Sequence, residues 1–201
     1  MEVAAKLANL TLIIGSTGGL GAALLTQLKS NASYTKAIGL SRSTQVSVNY
    51  DDETSIAKAA QHIAGLCAEL NLELRLLVVT TGFLHGDQGQ PERSFTNLDA
   101  AYLSQVFNIN TLGPALVMRH FLPLLPKSGR CVAGFVSAKV GSIGDNALGG
   151  WYGYRASKAA LNQLLKRRRL SWRGATKAAF ASACIPARWR LHSVSRSPKQ
   201  V

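Results

Sequence analysis

Short apolar runs alternate along this chain with longer segments of helical period. Leu10–Ile14 is a strand-like run, and a glycine-rich turn from Gly15 to Gly21 separates it from the helix formers of Ala22–Leu28. Ala37–Leu40 predicts a second strand. Asp51, Asp52 and Glu53 open a helix that continues to Leu70, with acids in the first turn where the helix dipole favours them. Leu74–Val79 predicts the next strand and residues 86–97 a loop. Leu98–Met118 has helical period, although Gly113-Pro114 is a poor helix step. Arg130–Val136 predicts a further strand, ending at Ser137, and a loop over 141–146 leads into a helix that carries Tyr154. Repeated strand–helix alternation with short connectors predicts an α/β fold, a doubly wound parallel sheet with helices on both faces.

The pattern stops at Lys166. From there the chain reads Lys166-Arg167-Arg168-Arg169-Leu170-Ser171-Trp172-Arg173, then a mixture of Arg, Ala, Ser and Trp. No apolar, β-rich run in 166–201 has the length of a central strand, so the C-terminal strands are expected to be missing. The Tyr154 helix is expected to end at Lys166. Two regions follow: a folded unit over 1–166 and a basic, poorly ordered tail over 167–201.

Charge sharpens that division. The chain carries a net charge of +13, but residues 1–165 hold 13 Lys and Arg against 10 acids, a net of +3. Residues 166–201 hold the other 10 basic residues and no acid. A solvated basic tail that binds nucleic acid is one reading. A shifted reading frame is the other. With synonymous codons chosen for Lys166–Arg173, moving the frame by two bases gives Thr-Ala-Ala-Ile-Glu-Leu-Ala. The same offset turns Cys184–Trp189 into His-Pro-Gly-Thr-Val. One offset that restores both a helix and a turn favours the frameshift. Weak or no activity is then expected of the chain as written.

Composition bounds the rest. With 201 residues and 47% hydrophobic residues, the chain has enough apolar side chains for one folded core and is not a disordered polymer. No apolar run has the length of a bilayer span, and the N-terminal stretch lacks a signal-peptide cleavage region. A cytoplasmic protein without membrane or nucleic-acid partners is expected. Cys67, Cys131 and Cys184 lack metal-ligand spacing and read as reduced, small apolar residues, so no metal is expected. His62, inside a helix, reads as a surface or satisfied residue and not as a ligand.

The candidate chemistry gathers around Tyr154 and Lys158. Four residues apart on a helix, they share one face about a turn apart. A phenol near pKa ~10 is a poor proton donor or acceptor at neutral pH, and an adjacent ammonium is expected to lower it. The glycine turn fits Gly-x-x-x-Gly-x-Gly through Gly15, Gly19 and Gly21, and also Gly-x-x-Gly-x-x-Gly through Gly15, Gly18 and Gly21. Between strand and helix, such a turn lets a pyrophosphate approach the helix N-terminus. At the end of the second strand stands Arg42, with no acid, which suits a 2′-phosphate and hence NADP(H) over NAD(H). Asn110, among apolar neighbours, needs a hydrogen-bonding reason if buried.

Together, the glycine loop, Asn110, Ser137 at a strand end and the Tyr154/Lys158 pair resemble the short-chain dehydrogenase/reductase family over residues 8 to about 166. Val140–Asn146 and Trp151–Asn162 look most like its C-factor and sniffer-like carbonyl reductases. The resemblance implies a Rossmann-type domain and an NADP(H)-dependent oxidoreductase that interconverts a small-molecule carbonyl and an alcohol. It implies Tyr154 as the proton-transfer group, Lys158 as its modulator and ribose ligand, Ser137 on the substrate oxygen, and Asn110 ordering a water that relays protons from Lys158. The implied cofactor contacts are Gly15, Ser16, Gly18, Gly19, Leu20, Gly21, Arg42 and Gly82, with Tyr154 and Lys158. A homodimer or homotetramer is a further implication. Two departures stand out. The second serine of the family's Ser-Ser-x-x-Gly is Ala138 here, so Ser137 or Ser142 must serve. The family's Asn-Asn-Ala-Gly is Val79-Thr80-Thr81-Gly82. A non-catalytic dinucleotide-binding or signalling protein is the competing reading.

Overall fold

The computed structural model describes residues 9–86, 89–171 and 177–185. Strand β1 (Asn9–Ile14) lies inside a parallel sheet, with β2 (Lys36–Leu40) on one side and β3 (Glu73–Val79) on the other. β4 (Arg130–Ala138) pairs with β3, and β5 (Lys177–Ile185) with β4, which gives the order β2-β1-β3-β4-β5. The chain reverses direction across the sheet between β1 and β3. In an open α/β sheet, ligands bind in the crevice at the carboxyl ends of the strands flanking such a point.

Strand alternation separates the two faces. Leu10, Leu12 and Ile14 enter a core completed by Leu77, Phe135, Ile56, Val117, Phe121 and Leu161. The last four of these come from α2 (Glu53–Glu69), α4 (Gly113–Phe121) and α5 (Tyr152–Ser171), the layer on one face. Ile13 points the other way, to the face where α1 (Gly19–Ser30) packs along β1 and β2. Asp52 caps α2 by accepting from Thr54 N at 2.9 Å, and Asp99 caps α3 (Ala100–Phe107) by accepting from Tyr102 N at 2.7 Å.

The helical stretch expected over Leu98–Met118 is not one regular helix. α3 passes into a π-helical turn over Asn108–Leu112 before α4 begins at Gly113, with Pro114 in its first turn. The wider turn lets the chain pass Pro114, which has no N–H to donate.

Two expectations for the C-terminal part need correction. α5 does not end at Lys166 but runs to Ser171. A further strand is present, because β5 lies parallel to β4 from Arg130↔Lys177 to Ala138↔Ile185. Residues 178–185 are uncharged within an otherwise basic stretch, and the edge of β4 offers N–H and C=O groups that another strand satisfies. The run is rich in alanine, whose low β-propensity concealed it. Of the tail expected over 167–201, residues 167–171 lie in α5 and 177–185 in β5; its remaining residues, and all but the first two of Cys184–Trp189, where the shifted turn is expected, lie outside those described.

Candidate active site

A cleft of about 830 Å³ follows the carboxyl ends of β1, β2 and β3. Gly15, Thr17, Gly18, Arg42, Asn49, Tyr50, Thr80, Gly82, Phe83 and Gln105 are among the residues lining it. At its floor the glycines are a matter of space. Gly15 has φ +90°, and a Cβ on Gly21 would lie 2.2 Å from Gly15 O and 2.7 Å from Thr80 Oγ1. The first turn of α1 can therefore press against the end of β1 only without a side chain at 21, leaving helix N–H groups beside the cleft. Gly18 is the N-cap of α1 and brings no side-chain cap, so those N–H groups are open to an anion. Ser16 is buried, whereas Gly19 and Leu20 are exposed in the first turn.

Arg42 stands exposed on the rim, just beyond β2. The segment after it folds back, with Val48 N donating to Ser41 O at 3.0 Å and Ser47 Oγ donating to Arg42 O at 3.0 Å. Tyr50, missed by the sequence reading, hydrogen-bonds Thr81 Oγ1 at 2.8 Å, and burial raises its phenol well above the usual range. One of the departures from the family pattern, Thr81, thus has a partner of its own.

Behind Gly82 and Phe83, which line the cleft, lies a set of buried polar side chains. Asn110, wholly buried in the π turn, accepts from Phe83 N at 2.9 Å and donates to Phe83 O at 2.8 Å. Its amide also donates to Ser157 Oγ at 3.2 Å, and that hydroxyl donates to Tyr154 O at 2.8 Å. Thr111 Oγ1 donates to Ser157 O at 2.9 Å. These contacts tie the π turn to both the loop after β3 and the first turns of α5. Here is the hydrogen-bonding reason that the sequence demanded of Asn110. Its side chain is spent on these bonds, and Pro114, four residues on, has no N–H to donate to Asn110 O.

Lys158 is 2% exposed and donates to Val136 O at 3.1 Å. Its Nζ lies 5.8 Å from the centroid of the Tyr154 ring and 3.5 Å from the position that a Cβ on Gly82 would take, an ordinary contact distance. Burial lowers its pKa to about 8, because the charged ammonium has lost its water. The expected depression of Tyr154 is not found: burial raises this phenol too. The ammonium is turned toward Val136 O, and in this arrangement desolvation outweighs its attraction for a phenolate. Of the two candidate serines, Ser137 is buried and donates to Asn162 Oδ1 at 2.7 Å, while Ser142 is exposed in the loop before α5. Tyr154, Lys158 and Asn162 recur every four residues along one side of α5, so β4 meets a polar stripe at its carboxyl end. His62 is exposed on α2, away from these groups.

Sequence reasoning missed Ser157 and Glu92. Ser157 sits inside the motif, where its small polar side chain gave no sign of full burial. Glu92 comes from the loop after β3 and meets the start of α5 only through the fold, with Gly153 N within 3.3 Å of both carboxylate oxygens. Among the described residues, no helix is long and apolar enough to cross a membrane.

Comparison with known proteins supports the fold. The structure is similar to the carbonyl reductase Sniffer of Caenorhabditis elegans, with a TM-score of 0.71 at 20% identity, covering 87% of this chain and 84% of that one. It is also similar to an NADPH-bound carbonyl reductase from chicken fatty liver, with a TM-score of 0.72 at 21% identity over 88% of this chain and 79% of that one. In sequence, 68 residues are 43% identical to a 1-hydroxy-2-glutathionyl-2-methyl-3-butene dehydrogenase of Rhodococcus sp. (strain AD45), over 34% of this chain. Another 39% identity over 70 residues, or 35% of this chain, relates it to the C-signal protein of Myxococcus xanthus. These matches span 29% and 42% of the respective relatives. A family model described as short chain dehydrogenase matches residues 25–176, beginning after the glycine loop and ending beyond Lys166. With three quarters of its length matched and Tyr154, Lys158 and Asn110 gathered at the carboxyl end of β4, the chain belongs to the short chain dehydrogenase family.

Proposed function

We propose that the protein is an NADP(H)-dependent oxidoreductase that interconverts a carbonyl compound and an alcohol. The observation carrying this reading is the convergence of Tyr154, buried Lys158 and the Asn110–Ser157 network beside a glycine-floored cleft. The cleft suits a dinucleotide, because the bare Gly21 lets the first turn of α1 pack onto Gly15 O, and the uncapped N–H groups of that turn stand beside the cleft. Gly15, Ser16, Gly18, Gly19, Leu20 and Gly21 would hold the pyrophosphate, Gly82 and Lys158 the ribose nearest the reaction, and Arg42 a 2′-phosphate. When bound, the cofactor supplies the hydride chemistry.

The chain's own residues supply the proton and the alignment. Tyr154 gives its phenolic proton to the substrate oxygen during reduction and takes it back during oxidation. Lys158 is held at the site by Val136 O, where its ammonium favours the phenolate once the phenol gives up its proton. Ser137, on turning from Asn162, or Ser142 would donate to the substrate oxygen. Asn110, through its main-chain carbonyl, would order a water that resupplies Lys158.

The test is turnover of carbonyl compounds with NADPH and NADH. Tyr154→Phe should lower kcat about 10²–10⁴-fold while NADPH still binds, and NADPH should outperform NADH. Unchanged turnover in Tyr154→Phe would sink the assignment. A second reading, a dinucleotide-binding protein without catalysis, is favoured by Ala138 and by the engagement of Ser137 with Asn162. Tight NADPH binding without turnover of any carbonyl compound would select it.

We also infer that residues 167–201 are encoded in a shifted frame, which lowers activity. Resequencing the DNA across codons 160–201 decides this. A frame reading Thr-Ala-Ala-Ile-Glu and then His-Pro-Gly-Thr supports the shift, and its absence makes the basic tail authentic.

A further inference from the structure

Glu92 has the one buried carboxylate among the described residues, at 2% exposure. It lies in the loop between β3 and α3, more than fifty residues from the helix it meets. Its Oε1 and Oε2 accept from Gly153 N at 3.3 and 3.2 Å, and its main-chain carbonyl accepts from Trp151 N at 2.6 Å. One residue therefore holds two N–H groups that straddle the start of α5. The fit is close: a Cβ on Gly153 would lie 2.8 Å from Glu92 Oε1. The carboxylate also raises the Tyr102 phenol, second to burial.

What Glu92 holds is an unfavourable conformation. Trp151 has φ +53°, a left-handed backbone that bulky residues avoid, and it follows Gly149 and Gly150 at φ +67° and +64°. A conformation of this kind persists only where its surroundings over-determine it. The Trp151 ring stands edge-on to the Tyr154 ring, with centroids 6.3 Å apart and planes at 80°. Arg155 closes the turn from the other side, donating from N to Trp151 O at 2.8 Å and from Nε to Gly150 O at 2.9 Å.

We propose that the Glu92 carboxylate is a positioning group for the reaction centre: by holding Gly153 N it docks its own loop on the start of α5, keeps the Glu92 carbonyl on Trp151 N, and thereby sets the indole edge-on against Tyr154. The indole restricts the rotation of the Tyr154 ring. This rests on the reading of Tyr154 as the proton-transfer group, but the placement of Trp151 can be measured without turnover.

The experiment uses the full chain with Trp172→Phe and Trp189→Phe, which leaves Trp151 as its only indole. Acrylamide quenching and near-ultraviolet circular dichroism are recorded well below the unfolding midpoint. Glu92→Ala should raise the Trp151 quenching constant severalfold and weaken its dichroic band. Glu92→Gln keeps an oxygen able to accept from Gly153 N and should retain most of both signals. In turnover, Glu92→Ala should lower kcat/KM about 100-fold, chiefly through kcat. A folded Glu92→Ala variant with a lower Tm but unchanged Trp151 signals overturns the proposal and leaves Glu92 a helix cap. If the alanine variant does not fold, Glu92→Asp withdraws the carboxylate by one methylene, and unchanged Trp151 signals there overturn it equally. Failure of Tyr154→Phe to affect turnover would strike only the assignment of Tyr154, because the Trp151 signals are read independently.

Discussion

The cleft and the polar cluster beside it are built from different materials. At the β1–α1 end the site is main chain and empty space, and what matters is the atom that each glycine lacks. At the β4–α5 end it is a set of buried polar side chains, each consuming the hydrogen-bonding capacity of the next. The first kind of site is sensitive to bulk and indifferent to pH. The second tolerates shape changes better than the loss of a partner, and it contains the one buried ammonium among the described residues, Lys158. A site made of absences and a site made of partners should therefore break in different ways.

The largest expected effect is at the glycine end. Gly21→Val has to displace Gly15 O, and it should abolish NADPH binding, read by cofactor fluorescence, with a stability loss of about 3 kcal/mol. Retained binding would mean that the cofactor does not use this floor. At the polar end, Asn110→Leu keeps the bulk but strands Phe83 N, Phe83 O and Ser157 Oγ. It should cost about 4 kcal/mol in urea unfolding. An equal cost for Asn110→Asp, which keeps the acceptor for Phe83 N, would argue against that account.

Lys158 tests the electrostatic side of the contrast. Its folded pKa of about 8 lies below the ordinary lysine value of 10.5, so the burial cost is fully present below pH 8. Between pH 8 and 10.5 the unfolded chain binds the extra proton, so this group's contribution to stability rises with pH. Lys158→Met should stabilise the fold at pH 7 by at most about 3 kcal/mol and flatten that rise. Above pH 10 the raised Tyr154 works in the opposite sense, so the comparison belongs below that pH. An unfolding midpoint that falls at pH 7 in the methionine variant would overturn the buried-charge account. The smallest effect expected is for Ser157→Ala, about 1–2 kcal/mol. It should also loosen amide exchange at Phe83 through the loss of one Asn110 contact, whereas exchange at Gly18 should stay as it is.

The same contrast explains what could be read from the sequence. The strands β1 to β4 announced themselves as apolar runs, because a parallel sheet buries both faces of its strands. Gly15–Gly21, Arg42, Tyr154 and Lys158 were legible because local spacing on a turn or a helix fixes where they go. β5 was not, since alanines carry little strand signal and its place depends on the open edge of β4. Glu92 was invisible for another reason: nothing local distinguishes it from a solvated loop acid, and only the folded chain brings it to Gly153. The expected influence of Lys158 on Tyr154 failed on direction. Spacing brought the two side chains together on one face of α5, but it could not show that the ammonium hydrogen-bonds Val136 O or how much water both groups lose.

The π turn at Asn108–Leu112 has a consequence that is one of phase. Each residue in a helix advances its face by about 100°, so the wide turn rotates the surface of α4 relative to that of α3. α3 is thereby free to pack against α5 while α4 packs against α2, although the two form one continuous rod. Deleting a single residue there would leave no hole to be filled. It would dial the second half of the rod out of step with the first, and the protein would have to choose which neighbour to keep.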